Sequence, residues 1–81
     1  MTTGGLRERK KLRTRHALGA AALELAVAHG LAEVTVEQIA EAADVSPRTF
    51  FNYFSSKEEA VVAAEVERAR LLGERLAARP P

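Results

Sequence analysis

The sequence predicts an all-α protein: a three-helix bundle with a helix-turn-helix in its second and third helices, extended by a longer fourth helix, in the homeodomain-like manner. Three observations predict it. Apolar residues recur at helical spacing, and no stretch alternates as a half-buried strand does. Two short helical segments follow one another with a turn of only about three or four residues between them. Two boxes of the Ser/Thr-x-x-Gln/Glu type, Thr35–Gln38 and Ser56–Glu59, mark helix starts.

The first helix is expected from Leu6 or Arg7 to His29. Leu18, Ala21, Ala22, Leu25 and Ala26 form its apolar stripe, and Gly30 sits where a helix-ending glycine belongs. Gly19, inside this helix, should weaken it by ~1 kcal/mol relative to alanine. The second helix opens on the Thr35 box, turns Val36, Ile39, Ala40 and Ala43 inward, and ends near Ala43 or Asp44. Ser46 is a good N-cap and Pro47 suits the first helical position, so a third helix should run to Tyr53 or Phe54. The fourth opens on the Ser56 box and continues through Val61, Ala64, Leu71 and Leu72 to about Ala78. Met1–Gly5 reads as a small, polar, flexible start, and Arg79-Pro80-Pro81 as a stop. Residues 1–12 are expected to form a flexible basic arm, 13–72 the bundle, and 73–81 the end of the last helix and a tail.

Composition narrows the function. With 81 residues there is room for one domain, and without cysteine there is no disulfide framework, thiolate nucleophile or zinc finger. The longest apolar run, Ala60–Ala64, is far short of the roughly 20 residues that span a bilayer, so no membrane partner and a cytoplasmic location are expected. Nothing pairs a nucleophile with a base, gathers metal ligands or forms a phosphate-cradling glycine loop. His16 and His29 lie more than three turns apart on one helix and cannot share a metal. Neither an enzyme nor a cofactor is expected. The formal net charge is only +1, but residues 1–16 hold six cations against one acid, which leaves a surplus of four acids in the rest. That asymmetry fits a basic segment meeting phosphates, and also a solvated tail.

The third helix carries the functional signal. At 100° per residue Phe50 and Phe54 share one side and should be core. Arg48, Thr49 and Asn52 fall on the opposite side, with Tyr53 at its flank and Phe51 at the edge of the apolar side. Arginine can bond guanine bidentately, and asparagine adenine. Thr49 can bond a phosphate or touch a thymine methyl, and Tyr53 can donate its hydroxyl to a phosphate. Ser46, Thr35 and Ser56 are caps first, although the free amides at their helix starts attract phosphate. Lys57 could reach the same phosphate or simply face solvent.

From Arg15 to Glu59 the chain resembles the N-terminal domain of the TetR family of bacterial transcriptional regulators. The likeness rests on Ala21-Ala22-Leu23-Glu24-Leu25, Gly30, Thr35 to Ala40, Ala43, Val45-Ser46 and the run Thr49 to Glu58. Ser46 to Phe54 is also similar to regulators of mycofactocin-type systems. The resemblance implies a helix-turn-helix that reads an operator half-site in double-stranded DNA, in a protein that is typically a repressor. It implies DNA contacts at Arg15, Thr35, Ser46, Pro47, Arg48, Thr49, Phe51, Asn52, Tyr53 and Lys57. Phe51 takes a position often held by tyrosine, so a phosphate-bonding hydroxyl would be missing, and Ala26 one often held by phenylalanine. Family members dimerise and bind a small-molecule inducer through a larger helical domain. That domain has no counterpart in these residues, so this polypeptide alone is expected to bind one half-site weakly. The alternative is a protein-interaction module that keeps the helix-turn-helix shape.

Overall fold

The computed structural model describes residues 4–78. Among the described residues there are four α-helices and no strand: α1 Gly4–His29, α2 Val36–Ala42, α3 Pro47–Phe51 and α4 Lys57–Ala78. Of the expected flexible start, residues 1–3 lie outside the described residues, as does the Arg79-Pro80-Pro81 stop; Gly4 and Gly5 are already helical.

One core holds the bundle. Leu18, Ala21 and Ala22 of α1, Ile39 of α2, Phe50 of α3 and Ala60 of α4 bury themselves with Val34 and Phe54 from the connections. Leu18, Ile39 and Phe50 are completely inaccessible. Full burial of side chains of this size contributes about 1.5–3 kcal/mol each. The helical spacing that defined the stripes of α1, α2 and α3 is therefore the spacing that packs.

Gly19 has a positive role that its low helix propensity hides. The longest-packed pair is α1 against α4, and Gly19 is buried at their crossing. A methyl group there would stand 3.4 Å from the Ala64 Cβ and 3.5 Å from the Ala60 carbonyl oxygen. The helices approach closely because Gly19, Ala60 and Ala64 are all small.

The turns differ from expectation in instructive ways. Gly30 takes φ 86 and ψ 137, a conformation strained for any side chain. A 3-10 turn over Leu31–Glu33 follows. It was not anticipated, since three residues carry no periodic signal. It turns Val34, only 2% exposed, into the core. α1 starts at Gly4 rather than at Leu6 or Arg7, so residues 4–12 are helical. α3 ends at Phe51, not at Tyr53 or Phe54. The amides of Asn52 and Tyr53 donate to the carbonyls three residues back, at 3.0 and 2.9 Å, which tightens the last turn. The Phe54 amide still reaches the Phe50 carbonyl at 3.0 Å, so the two aromatic rings stay on one side.

Asp44 makes the sharp bend between α2 and α3. Its amide donates to Glu41 O at 3.0 Å, and the Val45 amide donates to Ala40 O at 2.9 Å, the paired bonds of a Schellman ending. The residue at this position must be left-handed, and Asp44 has φ 61, the one positive φ outside glycine among the described residues. Aspartate tolerates that conformation better than most residues, but glycine carries no penalty there. Asp44→Gly should therefore raise stability by up to about 1 kcal/mol, whereas Asp44→Val should lower it by at least that much. Urea midpoints of the two variants check this. At the helix crossing, Gly19→Leu should cost about 1–3 kcal/mol by overpacking, in the same assay.

Candidate nucleic-acid interface

The third helix is short and is fixed from both ends. Ser46 accepts the Thr49 amide at 3.1 Å, with Pro47 in the first turn. The Ser46 and Thr49 hydroxyls also pair at 3.1 Å, which holds the half-buried Thr49 side chain in place. On the inner side Phe50 and Phe54 are buried, their ring centroids 5.7 Å apart. Ser46, Pro47, Arg48 and Asn52 lie exposed. Thus α3 has a wholly apolar anchor and a polar face carrying one guanidinium and one carboxamide.

Phe51 resolves to the outside. It is 56% exposed, and its ring stands edge-on to Phe50 with centroids 5.3 Å apart. An exposed phenylalanine beside Asn52 and Arg48 offers an apolar surface but no hydrogen bond. Tyr53 is half-buried and packs its ring against the core.

The remaining predicted site residues are held by contacts outside α3. The Arg15 guanidinium carbon lies 5.0 Å from the Phe54 ring centroid, a cation–π contact that ties α1 to the residues following α3. Thr35 caps α2 through a complete box: the Gln38 amide donates to the Thr35 hydroxyl at 3.1 Å, and the Thr35 amide donates to Gln38 Oε1 at 2.9 Å. Lys57 Nζ donates to the Val34 carbonyl at 2.8 Å. The first residue of α4 is thereby tied to the residue just before the α2 cap. One donor of the ammonium is engaged, and two remain for another partner.

Three of these contacts escaped the sequence reading. The Lys57–Val34 and Arg15–Phe54 contacts join residues far apart in the chain and leave no local signal. The third is a correction to the second capping box. The Glu59 amide does donate to Ser56 Oγ at 3.1 Å. Its carboxylate, however, accepts from the Ser55 amide at 2.5 Å and the Ser55 hydroxyl at 3.0 Å, rather than from Ser56. A serine four residues before a glutamate was visible in the sequence and could have suggested this.

The cations near α3 take part in no ion pair among the described residues. The ion pairs among the described residues belong to Arg70, which bonds Glu67 and, at 2.6 Å, Glu74 on the exposed side of α4. Arg15 and Arg48 form none. Among the described residues there is no cluster of three or more His, Asp or Glu placed to hold a metal, and no helix long and apolar enough to cross a membrane.

Residues 18–64 match the family described as bacterial regulatory proteins, tetR family. The chain is similar to the HTH-type transcriptional regulator TcmR of Streptomyces glaucescens, with 62% identity over 55 residues that make up 68% of this chain and 24% of that protein. It is also similar to MftR of Mycobacterium tuberculosis, a protein named for transcriptional regulation of mycofactocin biosynthesis. Identity there is 43% over 49 residues, 60% of this chain and 25% of that protein. The matched regions thus span about a quarter of the length of these curated relatives.

The Ser55 bonds to Glu59 have a consequence for pH. The Ser55 amide first, and its hydroxyl second, hold the Glu59 carboxyl below the usual carboxylate range. A lowered folded-state value means that the contribution is fully present above the unfolded value and is lost as pH falls through the folded one. Glu59→Gln should therefore be less stable than the parent at neutral pH, with the difference shrinking as acid protonates the parent. Thermal melts across the acidic range check this; a difference independent of pH would contradict it.

Proposed function

Since this chain belongs to the tetR family of bacterial regulatory proteins and carries its DNA-binding helix-turn-helix, we propose that α3 enters the major groove and reads an operator half-site with its exposed face. In this reading Arg48 bonds guanine and Asn52 adenine. Thr49, its hydroxyl preset by Ser46, touches a phosphate or a thymine methyl, and Phe51 lies against the duplex without a polar bond. Arg15, Thr35, Ser46, Pro47, Tyr53 and Lys57 hold the sugar–phosphate backbone and so fix the register of α3.

A single observation carries this reading: the two faces of α3 are chemically opposed. Phe50 at 0% and Phe54 at 2% exposure fix the helix from inside, which leaves Arg48 and Asn52 outward with no ion pair among the described residues to break on binding. The family is one of transcriptional regulators, not of enzymes.

We further propose that residues 13–72 form the DNA-binding unit and that the whole protein acts in the cytoplasm as a repressor. It would be a homodimer on two half-sites, released by a small-molecule inducer bound through a separate domain. The exposed Leu71, Leu72 and Leu76 of α4 would then be available to such a domain.

The test is anisotropy of a labelled random-sequence duplex pool at two salt concentrations, with the bound fraction sequenced. Salt-sensitive binding with an enriched motif is expected. Arg48→Ala should lower discrimination at one base pair by ~1–3 kcal/mol while leaving random DNA nearly unaffected. Equal losses on both would remove Arg48 from base reading. Failure of the folded chain to bind any duplex at low salt would overturn this reading in favour of a protein-interaction module.

A further inference from the structure

Phe51 is a large apolar side chain left on the surface of the helix-turn-helix. It is 56% exposed. The other exposed large apolar side chains among the described residues all belong to α1 or α4. Between them, α2 and α3 therefore show solvent a single one. The ring is held from beneath: it stands edge-on to Phe50, which is completely buried, with centroids 5.3 Å apart.

Its neighbour on the helix surface is Arg48. The two residues are three apart in α3, which sets them about 60° apart around the axis and about 4.5 Å apart along it. Asn52, also exposed, flanks Arg48 on the other side. Phenyl ring, guanidinium and carboxamide thus follow one another around the helix as one strip. The axial step from Arg48 to Phe51 is close to the roughly 3.4 Å between successive base pairs.

A duplex offers a phenyl ring few partners. Phosphate oxygens call for a hydrogen-bond donor, and phenylalanine has none. The base edges in the major groove are donors and acceptors, with one apolar exception, the C5-methyl group of thymine. Apolar wedges that part the base stack enter from the minor groove, whereas α3 occupies the major groove in the reading above.

We infer that Phe51 reads the C5-methyl of a thymine in the base pair adjoining the guanine bonded by Arg48. This rests on the DNA-reading role of α3 proposed above and adds an apolar specificity contact to its polar ones. The competing methyl reader is Thr49, which is half-buried with its hydroxyl paired to Ser46.

The experiment titrates the 81-residue chain against the motif selected from the random pool, with each thymine replaced in turn by deoxyuridine. That exchange deletes one methyl group and keeps every hydrogen-bonding group of the base pair. The parent should lose about fourfold in affinity at one thymine, the worth of burying one methyl-sized group. That thymine should adjoin the base pair whose discrimination Arg48→Ala lowers. Phe51→Ala should bind the thymine and deoxyuridine forms of this site alike. Phe51→Tyr keeps the ring and should keep the preference. Thr49→Ser removes the competing methyl but not the hydroxyl, and the preference should survive it. Circular dichroism melts show whether each variant keeps its bundle.

A parent that binds every deoxyuridine duplex as tightly as the original motif would overturn the inference. So would a motif with no thymine beside the pair read by Arg48, or a preference that persists in Phe51→Ala or vanishes in Thr49→Ser. Each of these outcomes leaves the DNA-reading role of α3 standing. A folded parent that binds no duplex at low salt would overturn that role, and the methyl contact with it.

Discussion

Everything functional in this chain depends on the burial of Phe50. A five-residue helix cannot hold itself together in water, because the cost of nucleation exceeds what so few hydrogen bonds return. α3 exists because Phe50 is completely buried in the core that also holds Leu18 of α1 and Ile39 of α2, with Phe54 packed beside it. Truncating a buried phenylalanine typically costs 3–5 kcal/mol, a large share of what a domain this small can possess. The rotation of α3 is set by the same insertion. The side that presents Arg48 and Asn52 is the side left over once Phe50 and Phe54 have been satisfied.

The helix ends complete what the core begins. Thr35 and Ser46 close α2 and α3 with their hydroxyls, Asp44 bends the chain between them, and Lys57 fastens the beginning of α4 to the approach to α2. The caps and the bend are local, whereas the Lys57 bond spans 23 residues; each is individually modest, on the order of 1 kcal/mol for a cap. Together they place the starts of α2, α3 and α4 with little freedom, and these starts are where free backbone amides face outward.

Much of this was legible in the sequence because it is governed by neighbours in the chain. The Thr35 box, the Ser46-Pro47 start and the inward pairing of Phe50 with Phe54 follow from spacings of three and four residues. The unread parts depend on tertiary geometry. Gly19 looked like a weak point of α1 because propensity considers one helix at a time, whereas its value lies in the approach of α4. Val34 looked like linker until the 3-10 turn directed it inward. Nothing local in the sequence shows that Lys57 and Arg15 each have a partner within the protein, at Val34 and at Phe54. The end of α3 was placed too late because apolar spacing persists through Phe54 even though the helix has already tightened.

The two long helices outgrow the core they share. The radius of gyration is 14.5 Å, against about 12 Å expected for a compact domain of this length. α1 begins well before Leu18, and α4 continues well past Ala60 to Ala78. Amide protection should therefore be steeply graded along single helices. Hydrogens near Leu18 and Ala60 exchange only when the whole molecule opens, while those at the two protruding ends exchange by fraying, one turn at a time. Such a molecule has a small cooperative centre with two soft extremities. Those extremities can be reshaped by whatever they touch without unfolding the part that holds α3.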